Sequence, residues 1–96
     1  MDMLLRQLDG ITMVDMSGRL DSLASGPVMD RLNEIVNAGA NRLIINLKQV
    51  TYISSAGLRG ILVAAKLVKS SNGEMRLCQP NDLVRKILEE SGFANL

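Results

Sequence analysis

The sequence predicts one α/β domain over residues 1–96, a mostly parallel sheet with an N-terminal antiparallel hairpin and the element order ββαβαβα. Three observations carry this. Asp9-Gly10 separates two apolar runs, the strongest short-range hairpin signal because both turn positions need positive φ. Beyond residue 21 the apolar period changes repeatedly between helical stripes and short continuous runs. Strands alternating with helices after an opening hairpin imply parallel pairing through right-handed crossovers.

The first two strands are Met3–Leu8 and Ile11–Ser17, antiparallel neighbours across the turn. Val28, Leu32, Ile35 and Val36 then form one stripe of an amphipathic helix, with Pro27 in its first turn and Ser25 or Gly26 as the cap. Asn37 to Gly39 supply its stop. Leu43, Ile44 and Ile45, continuing to Leu47, suit a central strand covered on both faces. Leu58, Ile61, Leu62, Ala65 and Val68 give the second helical stripe, ended near Asn72-Gly73. Met75–Cys78 reads as the last strand. Pro80 opens a third helix with Leu83, Val84, Ile87 and Leu88 on its apolar side and Gly92 as its stop.

Composition narrows function. With 47% hydrophobic residues the 96-residue chain buries a core, and so short a domain favours a surface function over a deep cavity. Eleven Lys and Arg against ten Asp and Glu leave a net charge of +1, which gives no electrostatic footprint for nucleic acid. No apolar run approaches the roughly 20 residues of a membrane span, and no signal peptide is expected. The chain has no histidine, which excludes Ser-His-Asp catalysis and every His-containing metal site. Its single cysteine, Cys78, can form neither an internal disulfide nor a thiolate cluster, as suits a reducing cytoplasm. Neither catalytic residues, nor a cofactor, nor a metal site is expected.

The most distinctive segment is Val50-Thr51-Tyr52-Ile53-Ser54-Ser55-Ala56-Gly57-Leu58-Arg59-Gly60, leading from the central strand into the second helix. Loops at such junctions commonly carry function in open sheets. Spacing alone favours a plain capping role for Ser54 or Ser55, worth ~1 kcal/mol. A nucleophile elbow would need glycine where Ile53 stands, and a phosphate-cradling loop would need a Gly-Lys-Ser/Thr run.

These residues resemble the STAS domains, and within them the free-standing bacterial anti-sigma factor antagonists. The resemblance covers essentially the whole chain. Gly18-Arg19-Leu20-Asp21 is similar to the family's Gly-x-Leu-Asp element. Asn46–Ile53 is similar to the strand leading to its phosphorylation loop, and Ser54-Ser55-Ala56-Gly57-Leu58 to its Asp-Ser-Ser/Thr-Gly-Leu signature. Ser91-Gly92-Phe93 matches a recurrent Ser-Gly-Leu/Phe. Carried over by position, the phosphorylated serine falls on Ser55, with Ser54 as the alternative acceptor because it replaces the family's Asp.

The resemblance implies a partner switch. The unmodified protein binds a GHKL-type serine kinase that is also the anti-sigma factor, phosphorylation at Ser55 releases it, and a PP2C-type phosphatase restores the binding form. Implied partner contacts are Asp21, Ser22, Ser54, Ala56, Gly57, Leu58 and Arg59, with Asp21 and Ser22 placed at the end of the second strand. On its own, Asp21 reads equally as a turn or cap residue, and Arg59 as a solvated charge. The alternative is a STAS ligand-sensing or scaffold module without a phosphoswitch. Such a protein is expected to be cytoplasmic and to have no enzymatic activity.

Overall fold

The computed structural model describes residues 1–91, and the expected stop at Gly92 and the residues Gly92-Phe93 of the C-terminal motif lie outside that range. The chain forms β1 (Asp2–Leu8), β2 (Ile11–Leu20), α1 (Ser22–Asn37), β3 (Arg42–Ile53), α2 (Ser55–Ser70), β4 (Glu74–Cys78) and α3 (Asp82–Glu90). The sheet order is β1-β2-β3-β4, with β1 antiparallel to β2 and the other neighbours parallel. This is the expected architecture. Asp9 and Gly10 both have positive φ, 51° and 80°, as the tight hairpin requires.

One face of the sheet is covered. Val14, Met16, Leu20, Leu43, Ile45, Leu47, Val50 and Ile53 meet Val28 and Leu32 of α1, Ile61 and Val68 of α2, and Val84 and Leu88 of α3 in a single core. Among the described residues nothing covers the other face, contrary to the expected double cover of β3. Ile44 and Asn46 are only half-buried there, beside Met13 and Asp15 of β2. Arg6 binds Asp15 through Nε and Nη2 at 2.6 and 2.9 Å, and Asn46 Nδ2 donates to Asp15 Oδ1 at 2.9 Å. Those hydrogen bonds, Arg6 first and Asn46 second, hold the Asp15 carboxyl below its ordinary pKa. Cys78 is half-buried, and burial pushes its thiol pKa up, the opposite of an activated nucleophile.

Two strands run further than their periodicity predicts. Along β3 the buried positions change from every second residue (Leu43, Ile45, Leu47) to every third (Leu47, Val50, Ile53). Two register shifts against β2, between Asp15 and Ser17 and between Gly18 and Arg19, each insert an extra β3 residue. Such bulges break the alternation by which a strand is recognised. On β2, Gly18 takes the inward position between Met16 and Leu20 without a side chain, so the alternation is lost there too.

Helix starts also differ from expectation. Asp21, not Ser25 or Gly26, caps α1, and Pro27 sits inside the helix with no N–H to bond the Leu23 carbonyl. The Asp21 carboxylate accepts from two backbone amides and so begins the helix well before its buried stripe. Hence Asp21 and Ser22 belong to α1's start and not to the strand end, since β2 stops at Leu20. On α2 the buried line runs Gly57, Gly60, Ile61, Ala64 and Val68, while Leu62 faces solvent. On α3, Leu83 is likewise exposed, and Pro80 precedes the true cap, Asn81.

Asn81 joins helix to sheet: its Oδ1 accepts from Val84 N–H at 2.7 Å and its Nδ2 donates to the Val50 carbonyl at 3.1 Å. Asn81→Ala removes both bonds and is expected to cost about 1–2 kcal/mol. Thermal unfolding should then fall by roughly 4–8 °C for each kcal/mol lost. An unchanged melting temperature would remove this cap from the account of α3.

Candidate functional site

The site is built where β2 and β3 end together. Leu20 and Ile53 are paired, and the Ser54 amide donates to the Leu20 carbonyl at 2.8 Å. Leu20 is fully buried, and the first turn of α2 rests directly on it. A Cβ on Gly57 would lie 2.7 Å from both Leu20 Cγ and Leu20 O. Only glycine permits that approach. Gly57 therefore has a packing role, and it is buried.

The two serines divide their tasks. Ser54 has the extended backbone of a cap (φ −84°, ψ 169°), and its Oγ accepts from Gly57 N–H at 3.1 Å. Ser55 is the first residue of α2 and is exposed. Its hydroxyl makes no hydrogen bond among the described residues, so it stands free in water. The neighbouring amides of Ser55 and Ala56 precede the first intrahelical bond, Leu58 N–H to the Ser54 carbonyl at 2.9 Å. They add partial positive charge beside that hydroxyl.

The start of α1 lies alongside. Asp21 Oδ1 accepts from Leu23 and Ala24 amides at 3.1 and 3.0 Å. Ser22 is exposed at the first helical position, as Ser55 is in α2. Between the two helices runs a shallow groove lined by Ser25, Gly26, Met29, Arg59, Gly60 and Val63. Arg59 is exposed and has no ion pair among the described residues. Leu58 is half-buried against the core, so it offers less surface than its neighbours.

Of the residues expected from sequence, Asp21, Ser22, Ser54, Ser55, Ala56 and Arg59 thus converge on one end of the sheet, while Gly57 and most of Leu58 lie beneath it. Sequence reasoning missed Leu23, 86% exposed, together with Met29 and Val63 in the groove. Leu23 is five residues before Val28 and so falls off the buried stripe, a signal that becomes legible only once α1 is known to begin at Ser22. Among the described residues there is no cluster of three or more His, Cys, Asp or Glu side chains that could hold a metal, and no helix long and apolar enough to cross a membrane.

The chain as a whole is similar to known proteins. The family model for the STAS domain matches residues 2–96. The chain belongs to the STAS domain family. This STAS domain is 32% identical to BtrV of Bordetella bronchiseptica, provisionally assigned as an anti-sigma factor antagonist, over all of this chain and 83% of that protein. It is also 32% identical to an anti-sigma F factor antagonist of Paenibacillus polymyxa, over 88% of this chain and 73% of that one. Among solved structures, a provisionally assigned anti-sigma factor antagonist of Thermotoga maritima shares the fold with a TM-score of 0.91 at 22% identity, covering 98% of this chain and 81% of that one. The anti-sigma factor antagonist SpoIIAA superposes in its unphosphorylated form with a TM-score of 0.75, covering 92% of this chain and 82% of that one. Its phosphorylated form, from Bacillus, gives 0.73 over 98% and 86%. Both are 19% identical to this chain, so they speak for the fold.

Adding a Cβ at residue 57 must push α2 away from Leu20. Gly57→Ala is expected to destabilise the domain by about 1–3 kcal/mol, read as a lower denaturation midpoint in urea. Wild-type stability in that variant would contradict the close approach.

Proposed function

We propose that this STAS domain is an anti-sigma factor antagonist that works by partner switching. The unphosphorylated form binds a GHKL-type serine kinase that doubles as the anti-sigma factor. Transfer of the ATP γ-phosphoryl group to Ser55 Oγ releases it, and a PP2C-type phosphatase restores the binding form. In this reading the protein acts in the cytoplasm and is a substrate and binding module without catalysis of its own. The observation that carries it is the free, exposed hydroxyl of Ser55 at the first position of α2, beside a Ser54 hydroxyl already engaged as the cap. The relatives named as anti-sigma factor antagonists support the output.

The departure from the family signature has a simple chemistry. Asp and Ser are both strong N-caps, so Ser54 supplies the cap that an Asp would supply. The arrangement favours Ser55 over Ser54 as acceptor, because Ser54 is half-buried with its Oγ already engaged by Gly57 N–H, whereas Ser55 is exposed.

Energetics favour a local switch. A phosphate adds about −1.5 to −2 charges. At a helix N-terminus that charge is favourable by roughly 0.3–1 kcal/mol. Buried without a partner in an interface, a charge costs about 2–5 kcal/mol. The interface penalty is the larger. At about 1.4 kcal/mol per tenfold, a mid-range penalty weakens binding by roughly three hundredfold while the fold persists.

The partner surface in this reading comprises Ser22, Ser55, Ala56 and Arg59, with Asp21 and Ser54 shaping it from below. Asp21 needs a careful probe, because a lysine there would remove the α1 cap as well as a charge. Asp21→Asn keeps a capping oxygen. It is expected to melt near wild type and to bind the kinase less tightly, measured by calorimetry; equal affinity would place the Asp21 charge outside the interface.

The modification itself is tested with the cognate kinase and ATP, followed by intact-mass spectrometry. The phosphoryl mass increase should vanish in Ser55→Ala and persist in Ser54→Ala. The reverse pattern would assign the switch to Ser54.

A further inference from the structure

We propose that the free edge of β1 is a self-complementary dimer edge, on which two copies pair antiparallel about Leu4 with Asp2 of each facing Arg6 of the other. Among the described residues the strand order leaves β1 outermost, hydrogen-bonded to β2 on one side only. Seven residues pair with β2 without a register shift, and none is proline. Natural edges are usually blunted by a bulge, a proline or unpaired charge. This edge has neither of the first two, and its charges are of opposite sign.

The backbone register follows from the hairpin. Leu8 and Ile11 flank a two-residue turn and therefore form a hydrogen-bonded pair. Alternation then turns the amide and carbonyl groups of Arg6, Leu4 and Asp2 toward β2, and those of Gln7, Leu5 and Met3 outward to the free edge. The side chains of Asp2, Leu4, Arg6 and Leu8 all share the uncovered face of the sheet. Leu4 is 64% exposed there.

Side-chain chemistry then selects one register. When paired residue numbers sum to eight, Met3 exchanges backbone bonds with Leu5 of the second copy. Leu4 meets its own copy on the two-fold axis, and Asp2 faces Arg6 twice. A shift of two residues in either direction sets Leu4 opposite Arg6, or Asp2 opposite Leu4, and loses both ion pairs. The groups required are available. Asp2 has no ion pair among the described residues, and Arg6 uses Nε and Nη2 for Asp15, leaving Nη1. The opposite edge is a poorer match: β4 has five residues, and its Glu74 and Arg76 already pair with each other at 3.0 Å.

An isologous contact of this kind closes on itself and yields a dimer rather than a fibre. One strand pair buries less than the roughly 1,200 Å² typical of stable interfaces, so the dimer is weak and concentration-dependent. It leaves Ser55 free, because β2 separates β1 from the β3 end that leads into α2. The β1 edge pairs in this way whether or not Ser55 is phosphorylated.

The test uses the full chain with Cys78→Ser as background. Opposed residues at a non-hydrogen-bonded site have Cα atoms about 4.5 Å apart, within disulfide range. Leu4→Cys is therefore expected to give a covalent dimer under mild oxidation, while Leu8→Cys, 73% exposed on the same face, stays monomeric. Sedimentation should show wild type dimerising as concentration rises, with Asp2→Lys weakening the dimer at least tenfold at an unchanged circular dichroism spectrum. A wild type monomeric at millimolar concentration, equal cross-linking at both positions, or an unchanged dimer in Asp2→Lys would overturn the proposal.

Discussion

The functional surface depends on the contact between the end of β2 and the start of α2. Leu20 supplies both halves of it: its carbonyl accepts the Ser54 amide, and its backbone and side chain fill the space where a residue-57 Cβ would project. Because Leu20 is fully buried in the core, the position of α2's first turn is set by the same packing that holds the sheet to its helices. The chain that leaves Leu20 begins α1 at once through the Asp21 cap. Two helix N-termini are thereby held side by side, each with an exposed serine at its first position, Ser22 and Ser55.

That geometry separates the tasks of structure and signal. Ser54, Gly57 and Asp21 are committed to hydrogen bonds or close packing, so changes that remove a capping oxygen or add a Cβ there act first on stability. Ser55 and Arg59 have no such partner among the described residues, so changes to them act on whatever approaches from solvent. An added phosphate would meet unpaired amides rather than the core, and the helix dipole tolerates it. A switch placed here can be strong toward a partner and mild toward its own domain. The open face of the sheet, where Arg6, Asp15 and Asn46 bond to one another, lies on the other side from this machinery.

Much of the fold was legible in the sequence because local signals agree with the tertiary result. Asp9-Gly10 gives the hairpin, and the Val28-Leu32-Ile35 stripe gives the buried side of α1. What stayed hidden has physical causes. Bulges turn the period of β3 from two to three past Leu47, so half of that strand does not look like one. Pro27 suggests a helix start, whereas the Asp21 carboxylate with two amides to accept wins the contest five residues earlier. Leu62 and Leu83 are apolar at nearly helical spacing yet face solvent, which periodicity alone does not separate from the core. At the site, the family-like signature singles out Ser55, and local spacing leaves the capping serine open between Ser54 and Ser55. The Gly57–Leu20 approach and the groove beside Met29 require the packing of elements distant in sequence, so they had no local signal.

The central claim is that modification at Ser55 is felt only around the junction. Amide chemical shifts of the unmodified and singly phosphorylated domain, recorded residue by residue, address it most directly. The account predicts changes confined to Ser54–Arg59 and the adjoining Leu20–Leu23, with β4 and α3 unmoved. Shifts spreading through β4, α3 or the hairpin would contradict it, and would mean that the phosphate acts by repacking the domain.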